Sequence, residues 1–170
     1  GIIDADIVVN NGDYAYTETN LIDERYQTYP ESYWKKRTLS PSGLLGYIGV
    51  RKKLPNLQHH NLFFDTDWDR HFDEVFSTRK WSKDPMFYLC APSKTDPSVA
   101  PQGMENLFIL APVANGNQPD QKVLERAIDD IIIRIEQKIG TSFAGDIVVR
   151  DVRAHNYFKS TFHATRGNAF

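Results

Sequence analysis

The chain has 170 residues, of which 41% are hydrophobic and 25% are charged, values typical of one globular domain rather than of a disordered or low-complexity segment. Twenty basic against 22 acidic residues leave a net charge of −2, so we expect no nucleic-acid partner. The single cysteine excludes an internal disulfide. Such cysteine usage fits a cytoplasmic, reducing compartment. No hydrophobic run approaches the about 20 residues of a spanning helix, so we expect no membrane crossing, and no signal peptide is visible.

Hydrophobic periodicity predicts alternating strands and helices along the chain. In chain order these are strand 2–10, helix 14–23, helical turn 31–36, strand 41–50, strand 59–64, helix 68–76, strand 86–91, strand 107–113, helix 120–139, strand 146–152 and helical turn 157–163. The clearest is helix 120–139, whose apolar residues form one stripe and which ends at Gly140. The irregular alternation predicts an α+β fold, in which helices cover a mixed or antiparallel sheet.

Three glycines, Gly43, Gly46 and Gly49, recur at every third position of strand 41–50. Glycine inside a strand often marks the close approach of a ligand or of another backbone segment. The simpler interpretation is tight packing of this strand against a neighbouring helix, and the sequence leaves both interpretations open.

The adjacent histidines His59 and His60 are the first candidates for metal binding. Because neighbouring side chains of a strand point to opposite faces, we expect one ring inside, one ring outside and no shared ion. Cys90 lies in an apolar strand, where a cysteine is typically a core residue rather than a nucleophile. The sequence therefore predicts no metal site here.

The acidic run 65–69 resembles the start of a calcium-binding loop. It lacks the central glycine and the closing glutamate of such a loop, whose position is occupied by Phe76. We predict a solvated turn in which Thr66 or Asp67 caps the following helix.

Side-chain motifs of known catalytic sites are absent from the sequence. It contains no Gly-x-Ser-x-Gly, no His-Glu-x-x-His, no phosphate loop and no Gly-x-Gly-x-x-Gly. What remains is a surplus of aromatic side chains, with 10 Phe, 8 Tyr and 3 Trp, which suits either an aromatic core or an apolar ligand site. These rules by themselves indicate no enzyme.

The segment 88–103 carries a more specific signal. Its sequence, Tyr-Leu-Cys-Ala-Pro-Ser-Lys-Thr-Asp-Pro-Ser-Val-Ala-Pro-Gln-Gly, resembles a segment of the bacterial and archaeal phytoene desaturases. Further stretches resemble the same family in the same order, namely 29–34, 47–50, 57–60, 105–113 and 166–170. One departure is Tyr157, where the family often has an aspartate before the residue equivalent to Phe158.

This resemblance implies that the chain is the substrate domain of a two-domain flavoprotein. Residues 1–170 would form one substrate-binding domain, with residues 1–12 and 165–170 as junctions to a separate FAD-binding domain. The implied reaction removes hydrogen across carbon–carbon single bonds of phytoene or a related C30 or C40 polyene, with FAD as the hydride acceptor. We expect this segment alone to bind no cofactor, because the phosphate loop is missing. A substrate of this kind implies peripheral attachment to a membrane surface.

Two groups of candidate site residues follow from the resemblance and from the predicted strands. The candidates for substrate binding lie on predicted strands and are Leu45, Tyr47, Leu62, Phe64, Tyr88 and Cys90. The candidates for closeness to the flavin lie in family motifs and are Thr95, Asp96, Arg166 and Gly167. The simpler interpretation of the first group is core packing. The simpler interpretation of the second group is a turn fixed by hydrogen bonds of Thr95 and Asp96.

No catalytic acid or base can be assigned from the sequence. Two alternative functions stay open at this point. A carotenoid isomerase or a polyene saturase has the architecture of the same superfamily but performs different net chemistry. A module that binds an apolar ligand without catalysis would also account for the aromatic composition.

Overall fold

The computed structural model describes residues 1–116 and 119–169 and contains one five-stranded sheet, in which every paired strand is antiparallel to its neighbour. The strands are β1 (Ser42–Val50), β2 (His60–Phe63), β3 (Phe87–Cys90), β4 (Glu105–Val113) and β5 (Ile147–Arg153). Their order across the sheet is β2-β3-β4-β1-β5. The α+β prediction is confirmed, and the sheet is the antiparallel one of the two alternatives.

Five α-helices accompany the sheet in the described part of the chain. They are α1 (Tyr14–Tyr16), α2 (Glu31–Lys36), α3 (Trp68–Phe72), α4 (Gln121–Ile139) and α5 (His155–Phe162). Two π-helical turns, Thr17–Leu21 and Asp73–Ser77, extend α1 and α3. Short 3-10 turns lie at Glu24–Tyr26, Pro92–Lys94, Pro97–Val99, Ala144–Asp146 and Thr165–Gly167. The Asp67 carboxylate accepts a hydrogen bond from the backbone N–H of Arg70 (3.0 Å), so the predicted cap of α3 is confirmed.

The hydrophobic core lies between α4 and one face of the sheet. The apolar stripe of α4 is buried and consists of Leu124, Ala127, Ile128, Ile131, Ile132, Ile135 and Ile139. It packs against the alternate residues of β1 and β4, which are Leu44, Ile48, Val50, Leu107, Ile109, Ala111 and Val113. A Cβ atom on Gly46 would lie 3.0 Å from Ile128 Cδ1, so the packing interpretation of this strand glycine is confirmed.

The predicted strand 2–10 is wrong. These residues form no strand, and Ile7 and Val8 remain more than four-fifths exposed. A β-strand is stable only when a neighbour satisfies its backbone hydrogen bonds, and none of the five described strands pairs with this segment. At the other end, Phe170, the last residue of the predicted junction 165–170, lies outside the described residues.

Gly167 and Gly140 both have left-handed backbone angles, with φ of 68° and 65°, but their surroundings differ. A Cβ atom on Gly167 would lie 2.8 Å from the carbonyl oxygen of His155, whereas a Cβ atom on Gly140 would meet nothing within 4 Å. We expect Gly140→Ala to lower the free energy of unfolding by about 1–2 kcal/mol through backbone strain alone. Gly167→Ala should cost about 1–3 kcal/mol more, because the neighbouring backbone must move.

Urea-induced unfolding of the two alanine variants, followed by circular dichroism, measures this difference directly. Equal losses in the two variants would show that the closeness of His155 adds no steric cost to the alanine substitution at Gly167.

Candidate functional site

The sheet face that α4 leaves uncovered carries an apolar surface, here called the open sheet face. Cross-strand pairs define it, because Leu62 faces Tyr88, Tyr88 faces Leu110, and Phe108 faces both Cys90 and Tyr47. Their aromatic rings touch, with centroid distances of 5.3 Å for Tyr47 and Phe108 and 6.5 Å for Tyr88 and Phe108. The strict alternation of β4 produces this arrangement, since its odd-numbered residues are buried and its even-numbered residues point to the other side.

An apolar cavity of about 260 Å³ lies between the open sheet face and α3. Its walls include Leu62, Phe64, Trp68, Phe72, Tyr88 and Leu110. The aromatic rings along α3 are in contact, with centroid distances of 5.1 Å from Trp68 to both Phe64 and Phe72. The cavity is therefore bounded by strand side chains on one side and by a row of aromatic rings on the other.

His71 is the one titratable imidazole in the wall of this cavity, and it is buried. Its Nε2 donates to the carbonyl oxygen of Pro112 (3.1 Å), and its Nδ1 accepts from the backbone N–H of Met86 (3.4 Å). Burial lowers the pKa of His71 and outweighs the opposing effects of the Pro112 hydrogen bond and of Glu74. The ring is thus neutral near pH 7, and it joins α3 to β4 without placing a charge beside the cavity.

A second apolar groove, of about 380 Å³, continues along the open sheet face toward β5. Tyr47, Phe108 and Val149 form its floor, and Val99 and Met104 lie in the loop at its rim. Neighbouring strands are about 4.8 Å apart, so the path from β2 to β1 is roughly 14 Å long. The cavity and the groove have separate walls, and the contact between the rings of Tyr88, in the cavity wall, and Phe108, in the groove floor, lies between them.

The structure places all six predicted substrate-binding residues on this face and leaves five of them accessible. Tyr47, Leu62, Tyr88 and Cys90 have exposed or partly exposed side chains there, and Phe64 follows β2 and lines the cavity. Leu45 shares the face but is only 4% exposed, because α5 covers this end of β1. Contact of these residues with a substrate stays a prediction.

The cavity residues that were not predicted as site residues include Trp68, Phe72 and Leu110. The helical spacing of Phe72 and Phe76 identifies an amphipathic helix, but it does not reveal which surface the apolar side meets. Leu110 is indistinguishable in sequence from its core neighbour Ile109. The register of β3 against β4 alone assigns it to the open sheet face.

Five polar and sulfur-bearing side chains meet at the end of β3, and this group is here called the histidine cluster: His59, His60, Tyr88, Cys90 and Thr95. His59 Nδ1 lies 2.6 Å from Thr95 Oγ1, and His60 Nδ1 lies 2.6 Å from the Tyr88 hydroxyl. A hydrogen bond with Cys90, then burial and the charge of Cys90, raise the pKa of Tyr88 to about 12.

The expectation of one inward and one outward histidine ring is wrong. The ring centroids of His59 and His60 are 4.2 Å apart, and both rings lie on the same side of the strand end. Strand β2 begins only at His60, so His59 precedes the regular alternation and its ring is free to turn toward its neighbour.

The predicted flavin-proximal residues form two separate pairs in the structure. Asp96 Oδ1 accepts hydrogen bonds from the backbone N–H (2.9 Å) and hydroxyl (2.6 Å) of Ser98, and these bonds lower the pKa of Asp96. Thr95 and Asp96 thus belong to a turn fixed by local hydrogen bonds, as the simpler interpretation predicts.

Arg166 and Gly167 lie at the far end of β4. Arg166 has a left-handed backbone, donates from its guanidinium to the carbonyl oxygen of Lys35 (3.1 Å), and accepts at its own carbonyl from the N–H of Gly116 (3.2 Å). The length of β4 separates this pair from Thr95 and Asp96 by about 27 Å, at roughly 3.4 Å per strand residue. The structure does not bring the two pairs together, and their closeness to a flavin stays a prediction.

Comparison with known proteins identifies relatives across nearly the whole chain. The chain is 39% identical over 164 residues to the carotenoid 3,4-desaturase of Haloarcula japonica, which is 96% of this chain and 33% of that protein. It is 32% identical over 172 residues to the zeta-carotene-forming phytoene desaturase of Myxococcus xanthus, a match that covers 99% of this chain and 33% of that protein. This chain is a homologue of the carotenoid desaturases. The resemblance drawn from segment 88–103 is therefore confirmed.

The carotenoid desaturase homologue spans about a third of the length of the curated relatives it matches. A further relative, 30% identical over 176 residues, is the 4,4'-diapolycopene oxygenase of Methylomonas sp.. No family model matches the chain. In the part of the chain that the structure describes, no helix combines the length and hydrophobicity needed to cross a membrane.

Proposed function

We propose that this chain is the substrate-binding part of an FAD-dependent carotenoid desaturase that dehydrogenates phytoene or a related C30 or C40 polyene. The observation that supports the proposal most directly is the pair of apolar sites on the open sheet face, the cavity beside α3 and the groove beside β5. The names of the relatives supply the substrate class.

A polyene hydrocarbon has no polar group to anchor it, so burial of its surface must supply the binding energy. Each buried methylene contributes about 0.8 kcal/mol, and aromatic rings offer flat surfaces to a conjugated chain. The neutral state of His71 matters here, because an unpaired charge beside a hydrocarbon would cost free energy. Sites for drug-sized ligands occupy about 300–1,000 Å³. The cavity of about 260 Å³ therefore suits one segment of the polyene, with the rest along the open sheet face.

The residues of this chain do not themselves fit the flavin dinucleotide. Dinucleotide sites use a parallel strand followed by a glycine-rich turn and a helix. The described residues instead form an antiparallel sheet, and the sequence has no Gly-x-Gly-x-x-Gly. Under this proposal FAD binds to other parts of the full-length protein, and this chain presents the polyene to it. Thr95 with Asp96, and Arg166 with Gly167, are the proposed positions nearest the flavin.

The substrate class also implies access from a membrane. The rings of Phe64, Trp68, Phe72 and Phe76 are each more than two-fifths exposed and lie in one row beside the cavity. Aromatic rings are favourable at the boundary between lipid and water. We infer peripheral attachment of the full-length protein to the cytoplasmic membrane surface near this row, with the polyene entering the cavity from the bilayer.

Expression of the full-length protein in cells that accumulate colourless phytoene tests the proposed activity. We expect the extracted pigments to show new absorption bands that move toward the visible, because each desaturation lengthens the conjugated system. Cells with an empty vector are the control. Colourless extracts from well-folded protein would exclude phytoene as the substrate and favour a saturase, an isomerase or a different polyene. An oxygenated product would instead indicate the chemistry named for the Methylomonas relative.

A further inference from the structure

The histidine cluster contains three metal-binding side chains whose donor atoms converge. One nitrogen of His59, one nitrogen of His60 and the sulfur of Cys90 all lie within 4.8 Å of one another. The three residues come from two neighbouring strands. His59 and His60 lie at the start of β2, and Cys90 faces His60 from the end of β3. Two imidazoles and one thiolate form a donor set that borderline-soft divalent ions prefer over Mg²⁺ or Ca²⁺.

Hydrogen bonds to hydroxyl groups fix one nitrogen of each imidazole in the cluster. Each ring uses Nδ1 for its bond to a hydroxyl, Thr95 for His59 and Tyr88 for His60, so a metal bound through Nε2 would leave both hydrogen bonds intact. Thr95 Oγ1 also makes a long hydrogen bond to the carbonyl oxygen of Pro92 (3.4 Å). A hydroxyl that donates its proton there accepts from His59 Nδ1–H, which leaves a lone pair on Nε2. Metal-bound histidines commonly donate their second nitrogen in this way.

The geometry points to a zinc-class metal site formed by His59, His60 and Cys90, with Thr95 and Tyr88 as the groups that orient the two rings. Zn–N and Zn–S bonds of about 2.0 and 2.3 Å place tetrahedral donors roughly 3.3–3.5 Å apart. The donor atoms lie within 4.8 Å of one another, so closure to a tetrahedral site needs an approach of at most about 1.5 Å. Three protein ligands leave a fourth position for water or another small donor.

Titration of the chelator-treated, thiol-reduced full-length protein with Co²⁺ tests this site, because Co²⁺ takes tetrahedral zinc positions and is coloured. We expect a thiolate-to-cobalt charge-transfer band in the near ultraviolet and ligand-field bands at the red end of the visible spectrum. One equivalent of Zn²⁺ should abolish both. The dissociation constant for Co²⁺, fitted from each titration, is then compared between the variants and the parent protein.

Cys90→Ser should remove the charge-transfer band. His60→Asn should weaken Co²⁺ binding at least 10-fold, and Thr95→Val should weaken it by about 10-fold through loss of ring orientation. The matched control is His163→Asn, an exposed histidine outside the cluster, which should bind Co²⁺ like the parent protein. Circular dichroism checks that each variant is folded.

Absence of a cobalt spectrum in the parent protein would overturn the proposal, as would an unchanged spectrum in Cys90→Ser. Should Cys90→Ser fail to fold, the exposed His60 gives the decisive comparison. Equal cobalt affinity in His60→Asn and His163→Asn would then overturn the proposal.

Discussion

Replacement of Leu62 by aspartate is expected to lower the rate of polyene desaturation by the full-length protein by about 10- to 100-fold. Leu62 is on the edge strand β2, is 63% exposed, and forms part of the cavity wall. Burial of a leucine side chain against a ligand contributes about 1.5–3 kcal/mol, and each 1.4 kcal/mol corresponds to a factor of ten. The variant also forces a carboxylate to lose water when the hydrocarbon binds, which adds to the loss.

The measurement is the initial rate of phytoene consumption, normalised to the amount of folded protein. Ile133→Asp is the matched control, because Ile133 is 48% exposed on α4, on the side of the sheet away from the cavity. The same chemical change at Ile133 should leave the rate within twofold of the parent protein. Leu62→Met, which keeps the volume and the apolar character, should also retain activity. Equal rates for Leu62→Asp and Ile133→Asp would refute the assignment of the cavity as the substrate site.

Those parts of the fold with a strong local period were predictable from the sequence. The stripe of α4 repeats for 19 residues and ends at Gly140, whose left-handed backbone terminates the helix. Strand β1 was predicted within one residue of its start, because a nine-residue apolar run has few alternatives. In both elements the local preference and the tertiary packing favour the same structure.

Segment 2–10 shows where this reasoning fails. Its β-branched run has the composition of a buried strand, but a strand exists only if a neighbour pairs with it, and composition carries no information about the neighbour. The prediction that the rings of His59 and His60 point to opposite faces is wrong for a related reason. A shift of one residue in where β2 begins decides whether His59 and His60 diverge or lie together.

The candidate site could be predicted only in part. Alternation along single strands pairs Leu62 with Phe64 and Tyr88 with Cys90, but only the strand register brings such pairs onto one face. The cavity wall also needs α3 to fold over that face, and the contact that holds α3 there, from His71 to the carbonyl oxygen of Pro112, joins residues 41 positions apart. A contact of that kind leaves no periodic signal in the sequence.

Glu105 is a buried charged residue, and we expect its substitution to have a large effect on stability. It starts β4 and is only 2% exposed. Its carboxylate forms an ion pair with Lys94 Nζ at 2.9 Å and accepts a hydrogen bond from Ser93 Oγ. Lys53 Nζ lies further away, at 3.8 Å. The side chain thereby ties the loop after β3 to the start of β4, next to the motif that contains Thr95.

Glu105→Ala is expected to lower the free energy of unfolding at pH 7 by about 3–5 kcal/mol, because it leaves the partly buried Lys94 ammonium without its counter-ion. The matched control is Glu31→Ala, which removes an exposed ion pair with Lys35 on α2. An exposed pair of this spacing contributes at most about 0.5 kcal/mol. Urea-induced unfolding of both variants measures the contrast, and similar losses would contradict the role assigned to Glu105.

The loss in Glu105→Ala should also depend on pH in a definite direction. Burial by itself raises the pKa of Glu105, but the hydrogen bonds from Ser93 and Lys94 and the charge of Lys94 outweigh it, so the pKa lies below the ordinary value of 4.5. A carboxyl group whose pKa is lowered by folding stabilises the folded state above its unfolded-state pKa. That contribution is lost as the pH falls through the folded-state pKa. We therefore expect the stability difference between the parent chain and Glu105→Ala to be constant from pH 7 to about pH 5 and to narrow below about pH 4.5. A difference that stays constant down to pH 2 would show that Glu105 contributes through packing rather than through its charge.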